Sequence, residues 1–79
     1  GILVVDDEPA IRRLVRVALE RAGHDVIEAV DAATALRAAK PSVALVLLDL
    51  GLPDRDGLEL VPLLRERDLA VIVLTARDA

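Results

Sequence analysis

Three short apolar blocks without polar alternation constrain this chain most: Ile2–Val5, Val43–Leu48 and Ala70–Leu74. A strand with one wet face alternates, so unbroken blocks of this kind belong to parallel strands covered on both faces. A weaker block, Asp25 to Ala29, has polar residues on either side and suits a sheet edge. Parallel strands need crossovers, and the residues between the blocks supply helices. Ile11, Leu14, Val15, Ala18, Leu19 and Ala22 recur at three- and four-residue steps, with Arg12, Arg13, Arg16 and Glu20 on the opposite face. Pro9 suits a first helical turn, Asp7 or Glu8 can accept from its open amides, and Gly23 ends the helix. A second, alanine-rich helix runs from Ala32 to Ala39, capped by Asp31 and stopped by Pro41. A third starts near Asp56 or Gly57 and presents Leu58, Val61 and Leu64 on one side, with Pro62 forcing a kink or a late start. The order β-α-β-α-β-α-β predicts an α/β fold with a parallel sheet and right-handed crossovers.

Composition narrows the function. The 79 residues carry a net charge of -4, no cysteine and no aromatic residue. That removes thiolate metal sites and cysteine nucleophiles, and makes a reducing cytoplasm the expected setting. It also removes the stacking platforms of single-strand nucleic-acid binders, and the negative charge argues against direct grip on phosphate backbones. No apolar run approaches the roughly 20 residues that span a bilayer, and nothing at the start reads as a signal peptide. One domain is the ceiling at this length.

In open α/β sheets ligands bind beyond the carboxyl ends of the strands. Those ends deliver Asp6 and Asp7 from the first strand, Asp49 from the third and Thr75 from the fourth. Carboxylates converging from neighbouring strands repel unless a cation joins them, and a hard divalent ion such as Mg²⁺ suits an all-oxygen set. Asp7 and Glu8 also read as plain helix-capping charges, and Thr75 alone is an ordinary strand residue. Asp49 is harder to explain structurally, because it follows six apolar residues where an unpaired carboxylate is costly.

The loop Asp49-Leu50-Gly51-Leu52-Pro53-Asp54-Arg55-Asp56-Gly57 completes a pattern. With Val4-Val5-Asp6-Asp7-Glu8 before it and Leu74-Thr75-Ala76 after it, the chain resembles the receiver domain of two-component response regulators. Ala10 to Arg13 together with Leu48 to Asp54 are most similar to the winged-helix output group, the potassium-responsive KdpE type in particular. The resemblance implies a flavodoxin-like (CheY-like) doubly wound sheet of strand order 2-1-3-4-5. Residues 1–79 would form its N-terminal two-thirds, stopped after the fourth strand, before a fifth strand that carries an essential lysine. Lys40 is the only lysine here and lies elsewhere.

By the same resemblance, Asp49 is the phosphoacceptor for a sensor histidine kinase. Mg²⁺ is held by Asp7, Asp49 and the Gly51 carbonyl, and by Asp6 through water. Thr75 and Ala76 form the phosphate-binding switch, Gly51 and Arg77 tune dephosphorylation, and Arg12, Arg13 and Arg16 dock the kinase. The domain is then a cytoplasmic signalling phosphoacceptor rather than a metabolic enzyme, and it reaches DNA only through a C-terminal output domain. A bare fourth strand would invite a homodimer or oligomer. Two rivals remain at this stage: a receiver-like interaction module that is not phosphorylated, and a haloacid-dehalogenase-type phosphatase. The latter needs a second Asp where Gly51 stands. His24, after Gly23, reads as a solvated turn residue.

Overall fold

The computed structural model describes residues 1–75. Four strands, β1 (Ile2–Val5), β2 (Val26–Ala29), β3 (Leu45–Asp49) and β4 (Ala70–Thr75), form one sheet in the order β2-β1-β3-β4. All three pairings are parallel. The crossovers are α1 (Pro9–Arg21), α2 (Ala32–Ala38) and a 3₁₀ turn, Gly57–Glu59, running into α3 (Leu60–Arg65). The expected doubly wound α/β order is therefore present, with β2 and β4 as edges among the described residues.

Each inner strand serves both faces, which is why its sequence does not alternate. Leu3, Val5, Val46 and Leu48 pack with Ala32, Ala35, Leu60 and Leu64 on the side of α2 and α3. Ile2, Val4 and Leu47 pack with Val15 and Leu19 on the side of α1. The alanines bring α2 close to the sheet, and Ala32 and Ala35 are fully buried. Asp31 caps α2 by accepting the Thr34 N–H at 2.8 Å. Gly23, at φ 92°, supplies the left-handed residue that ends α1.

Two helix faces differ from expectation. In α3, Leu60 and Leu64 point inward, whereas Leu58 is 58% exposed. The 3₁₀ turn winds at three residues per turn and delays the α-helix, so the inward stripe begins two residues late. Pro62 then lies in the first turn, where its missing N–H costs nothing. In α1 the half-buried stripe is Arg12, Val15, Arg16 and Leu19, while Ile11 and Leu14 face outward, Leu14 at 68% exposure. Arg12 and Arg16 are therefore not on the solvated face. The i, i+4 step carries both over the sheet edge to Glu28 of β2. The capping carboxylate of α1 also differs: Glu8, at the N-cap, makes no side-chain cap bond, and Asp6 instead accepts the Glu8 N–H at 2.9 Å.

The burial pattern predicts that Leu60→Ala and Leu64→Ala each cost about 2–5 kcal/mol in urea unfolding. Leu58→Ala should stay within about 0.5 kcal/mol. Equal losses at Leu58 and Leu60 would contradict the inward stripe.

Candidate functional site

β1 and β3 are parallel neighbours, with Val5 level with Leu48. Their carboxyl ends therefore open at the same edge, and the next residues, Asp6 and Asp49, meet there. Asp7 follows at once. Carboxylate oxygens of Asp6, Asp7 and Asp49 all lie within 4.8 Å of one another. Asp6 is 2% exposed and Asp49 fully buried, while Asp7 faces solvent.

Such a cluster is electrostatically costly. Burial pushes the Asp6 carboxyl above its ordinary 3.8, and the charges of Asp49, Asp7 and Glu8 add to the rise. The Glu8 N–H works against these effects by donating to the carboxylate. A hard divalent cation relieves this repulsion, and the donor set, oxygen only with one solvent-facing member, fits Mg²⁺. Asp6 is held at its backbone too: its N–H donates to the Ala29 carbonyl at 3.1 Å, and its carbonyl accepts from Arg12 Nη1 at 2.9 Å.

The loop after β3 is closed on itself. The Gly57 N–H donates to the Leu50 carbonyl at 3.0 Å. A Cβ on Gly57 would lie 2.6 Å from Leu50 Cα and 2.9 Å from the Asp49 carbonyl oxygen, so only glycine fits there. Asp54 pins the loop to α2, accepting the Ala32 and Ala33 N–H groups at 2.9 and 3.0 Å. These bonds, the Ala32 one foremost, hold its carboxyl below the usual range. The Gly51 N–H reaches Asp49 Oδ1 at 3.3 Å. Neither the Asp54 clamp nor the tight approach at Gly57 was among the sequence-derived site features. The first spans 22 residues, which no local pattern displays. The second had a signal, an Asp-Gly pair closing a turn-rich loop.

On β4 the register shifts between Leu48 and Asp49, so Leu48 pairs with Val73 but Asp49 with Thr75. This irregularity places the Thr75 backbone opposite Asp49. Ala76 and Arg77 lie outside the described residues. Arg12, Arg13 and Arg16 line an open cleft of about 470 Å³ between α1 and β2. Within it, Arg12 Nε and Arg16 Nη1 bind the two oxygens of Glu28 at 3.1 and 2.6 Å, leaving Arg13 exposed. Those contacts, Arg16 foremost, hold Glu28 below the usual range.

The site and fold together define a class, and comparison with known proteins agrees. The response regulator receiver domain model matches residues 2–79. The KDP operon transcriptional regulatory protein KdpE of Escherichia coli strain K12 is 49% identical over 80 residues, covering 99% of this chain and 36% of the relative. The chain spans about a third of the length of the curated relatives of this kind that it matches. A CheY-like receiver domain protein from Methanospirillum hungatei JF-1 superposes with TM-score 0.90 at 31% identity, covering 99% of this chain and 65% of that one. The response regulator TrrA of Thermotoga maritima, solved in complex with Mg²⁺ and BeF, gives TM-score 0.84 at 38% identity, covering 98% and 70%. The chain belongs to the response regulator receiver domain family of two-component systems. Its relatives are transcriptional regulators of both the KdpE and PhoP types, in keeping with the output group expected from the sequence. Among the described residues no helix is long and apolar enough to cross a membrane.

Linkage gives the site a pH signature. Asp6 is raised, so its contribution to the metal-free fold is whole below its ordinary 3.8 and lost as pH climbs through the raised value. Glu28 is lowered, so its contribution is present above the ordinary 4.5 and lost as pH falls through the lowered value. Asp6→Asn keeps the acceptor for the Glu8 N–H but removes one buried charge. It should therefore stabilise the metal-free chain at neutral pH by on the order of 1 kcal/mol, a typical gain where a site carries strain for function. Thermal melts followed by circular dichroism should show the gain shrinking toward about pH 4 and on adding Mg²⁺. A gain independent of pH would count against Asp6 as the strained charge.

Proposed function

We propose that this receiver takes a phosphoryl group on Asp49 from the phosphohistidine of a sensor histidine kinase. An Asp49 carboxylate oxygen attacks phosphorus, the phosphorus–nitrogen bond breaks, and its electron pair leaves with the imidazole. The observation that carries this reading is the buried Asp49 carboxylate, set at a strand end within reach of two more carboxylates. Mg²⁺ would be held by Asp7, Asp49 and the Gly51 carbonyl, and by Asp6 through water. When bound it neutralises charge on the phosphoryl oxygens and on the attacking carboxylate.

The chain's own groups do the rest. The closed Leu50–Gly57 loop fixes the backbone beside Asp49, so that little reorganisation accompanies transfer. Thr75, opposite Asp49 in β4, supplies the switch hydroxyl, and Ala76 an amide for the phosphate. Gly51 and Arg77 set how fast water removes the phosphoryl group. Arg13, the exposed member of the α1 trio, leads the kinase contact, with Arg16 beside it. The setting is cytoplasmic, and the switched state passes to a DNA-binding output domain of the kind that longer transcriptional regulators imply. The β4 edge, with Ile72 52% and Val73 42% exposed, offers a pairing surface for a second copy.

Beryllofluoride tests the central claim. With Mg²⁺, ¹⁹F spectra of the chain should show bound fluorides that disappear in Asp49→Asn. An adduct unaffected by Asp49→Asn would favour a non-phosphorylated interaction module. Steady phosphate release from small phosphate esters would favour a phosphatase. A strictly monomeric chain in concentrated sedimentation runs would remove the β4 pairing.

A further inference from the structure

We propose that Arg12 is a positioning residue for the acid cluster, setting the direction of Asp6 and Asp7 toward a bound divalent cation; this rests on the metal-binding reading above. The argument begins with a mechanical problem. Asp6 and Asp7 lie beyond the last paired residue of β1, Val5, where a strand end is free to fray. The Asp6 carbonyl belongs to the peptide that joins the two aspartates. Because that peptide is planar and carries the Cα atoms of both residues, restraining its oxygen restrains the two points from which both side chains leave the backbone.

Arg12 Nη1 makes that bond at 2.9 Å. Its Nε simultaneously donates to Glu28 Oε1 at 3.1 Å, so one rigid guanidinium spans the strand end and the neighbouring β2. Glu28 is itself braced by Arg16 Nη1 at 2.6 Å, and the Arg12 side chain is only 15% exposed. With the Asp6 N–H on the Ala29 carbonyl and the Asp6 carboxylate on the Glu8 N–H, the residue is held at three points. Arg12 is the only one of the three supplied by a side chain other than that of Asp6 itself, so it can be removed by substitution without altering a proposed ligand.

The sign of the effect separates positioning from charge. A guanidinium near a cation site repels the cation, so removing it should tighten Mg²⁺ binding if only Coulomb's law acted. Loss of positioning weakens binding instead. The chain lacks aromatic residues, so Mg²⁺ titrations are best followed by amide shifts in ¹H–¹⁵N spectra.

Arg12→Met should raise the Mg²⁺ dissociation constant roughly tenfold, the scale seen when a partner behind a metal ligand is lost. Arg13→Met, the same charge change on an exposed neighbour, should leave it equal or slightly lower. Arg12→Lys keeps the charge but cannot span both acceptors, and should also weaken binding, which guards against a Met variant that fails to fold. Glu28→Gln should weaken binding less than Arg12→Met, since the bond to the Asp6 carbonyl survives. Arg12 variants that bind Mg²⁺ as tightly as wild type or Arg13→Met would overturn the proposal. A wild-type chain without Mg²⁺ affinity would instead overturn the metal reading, and the inference with it.

Discussion

The structure depends on one unfavourable interaction, the mutual repulsion of Asp6, Asp7 and Asp49 where β1 and β3 end together. Burying two of these carboxylates beside leucines and valines is costly. A divalent cation would relieve the repulsion. Burial and its neighbours' charges push the Asp6 carboxyl above its ordinary value, against the Glu8 N–H that it accepts. The parallel sheet makes the strain affordable, because Leu3, Val4, Val5, Val46 and Leu48 bury on both faces immediately behind the cluster.

Around that point the chain is braced rather than packed. Asp54 ties the loop after β3 to the start of α2, while Gly57 closes the loop against Leu50. On the other side, Arg12 and Arg16 grip Glu28, and Arg12 also reaches the Asp6 carbonyl. These are directional hydrogen bonds, those of Asp54, Arg12 and Arg16 charge-assisted. They hold geometry where apolar contact, which has no preferred direction, could not.

The sheet and the acid cluster were legible in the sequence because both are local signals. An apolar block reads as a buried strand wherever it falls, and a carboxylate directly after it marks the strand's carboxyl end. Asp6, Asp7 and Asp49 followed from that rule alone, and Asp31 as the α2 cap from ordinary N-cap preference. Helix faces were less legible. Leu58 and Leu60 are equally apolar, and only the winding of the 3₁₀ turn decides which one is buried. Arg12 reads as a surface residue in any helical projection, since nothing in α1 announces that Glu28, sixteen positions on, stands across the sheet edge.

What the sequence determined by itself, then, is the class of fold, the identity of the acidic residues and the edge of the sheet where they gather. All three follow from the order of apolar and polar residues along the chain. What only the tertiary structure decided is how those residues are held: the Arg12 bridge, the Asp54 clamp, the close approach at Gly57 and the register shift that sets Thr75 opposite Asp49. Each joins segments distant in sequence, and its geometry depends on how strands and helices stack, which residue order alone does not encode.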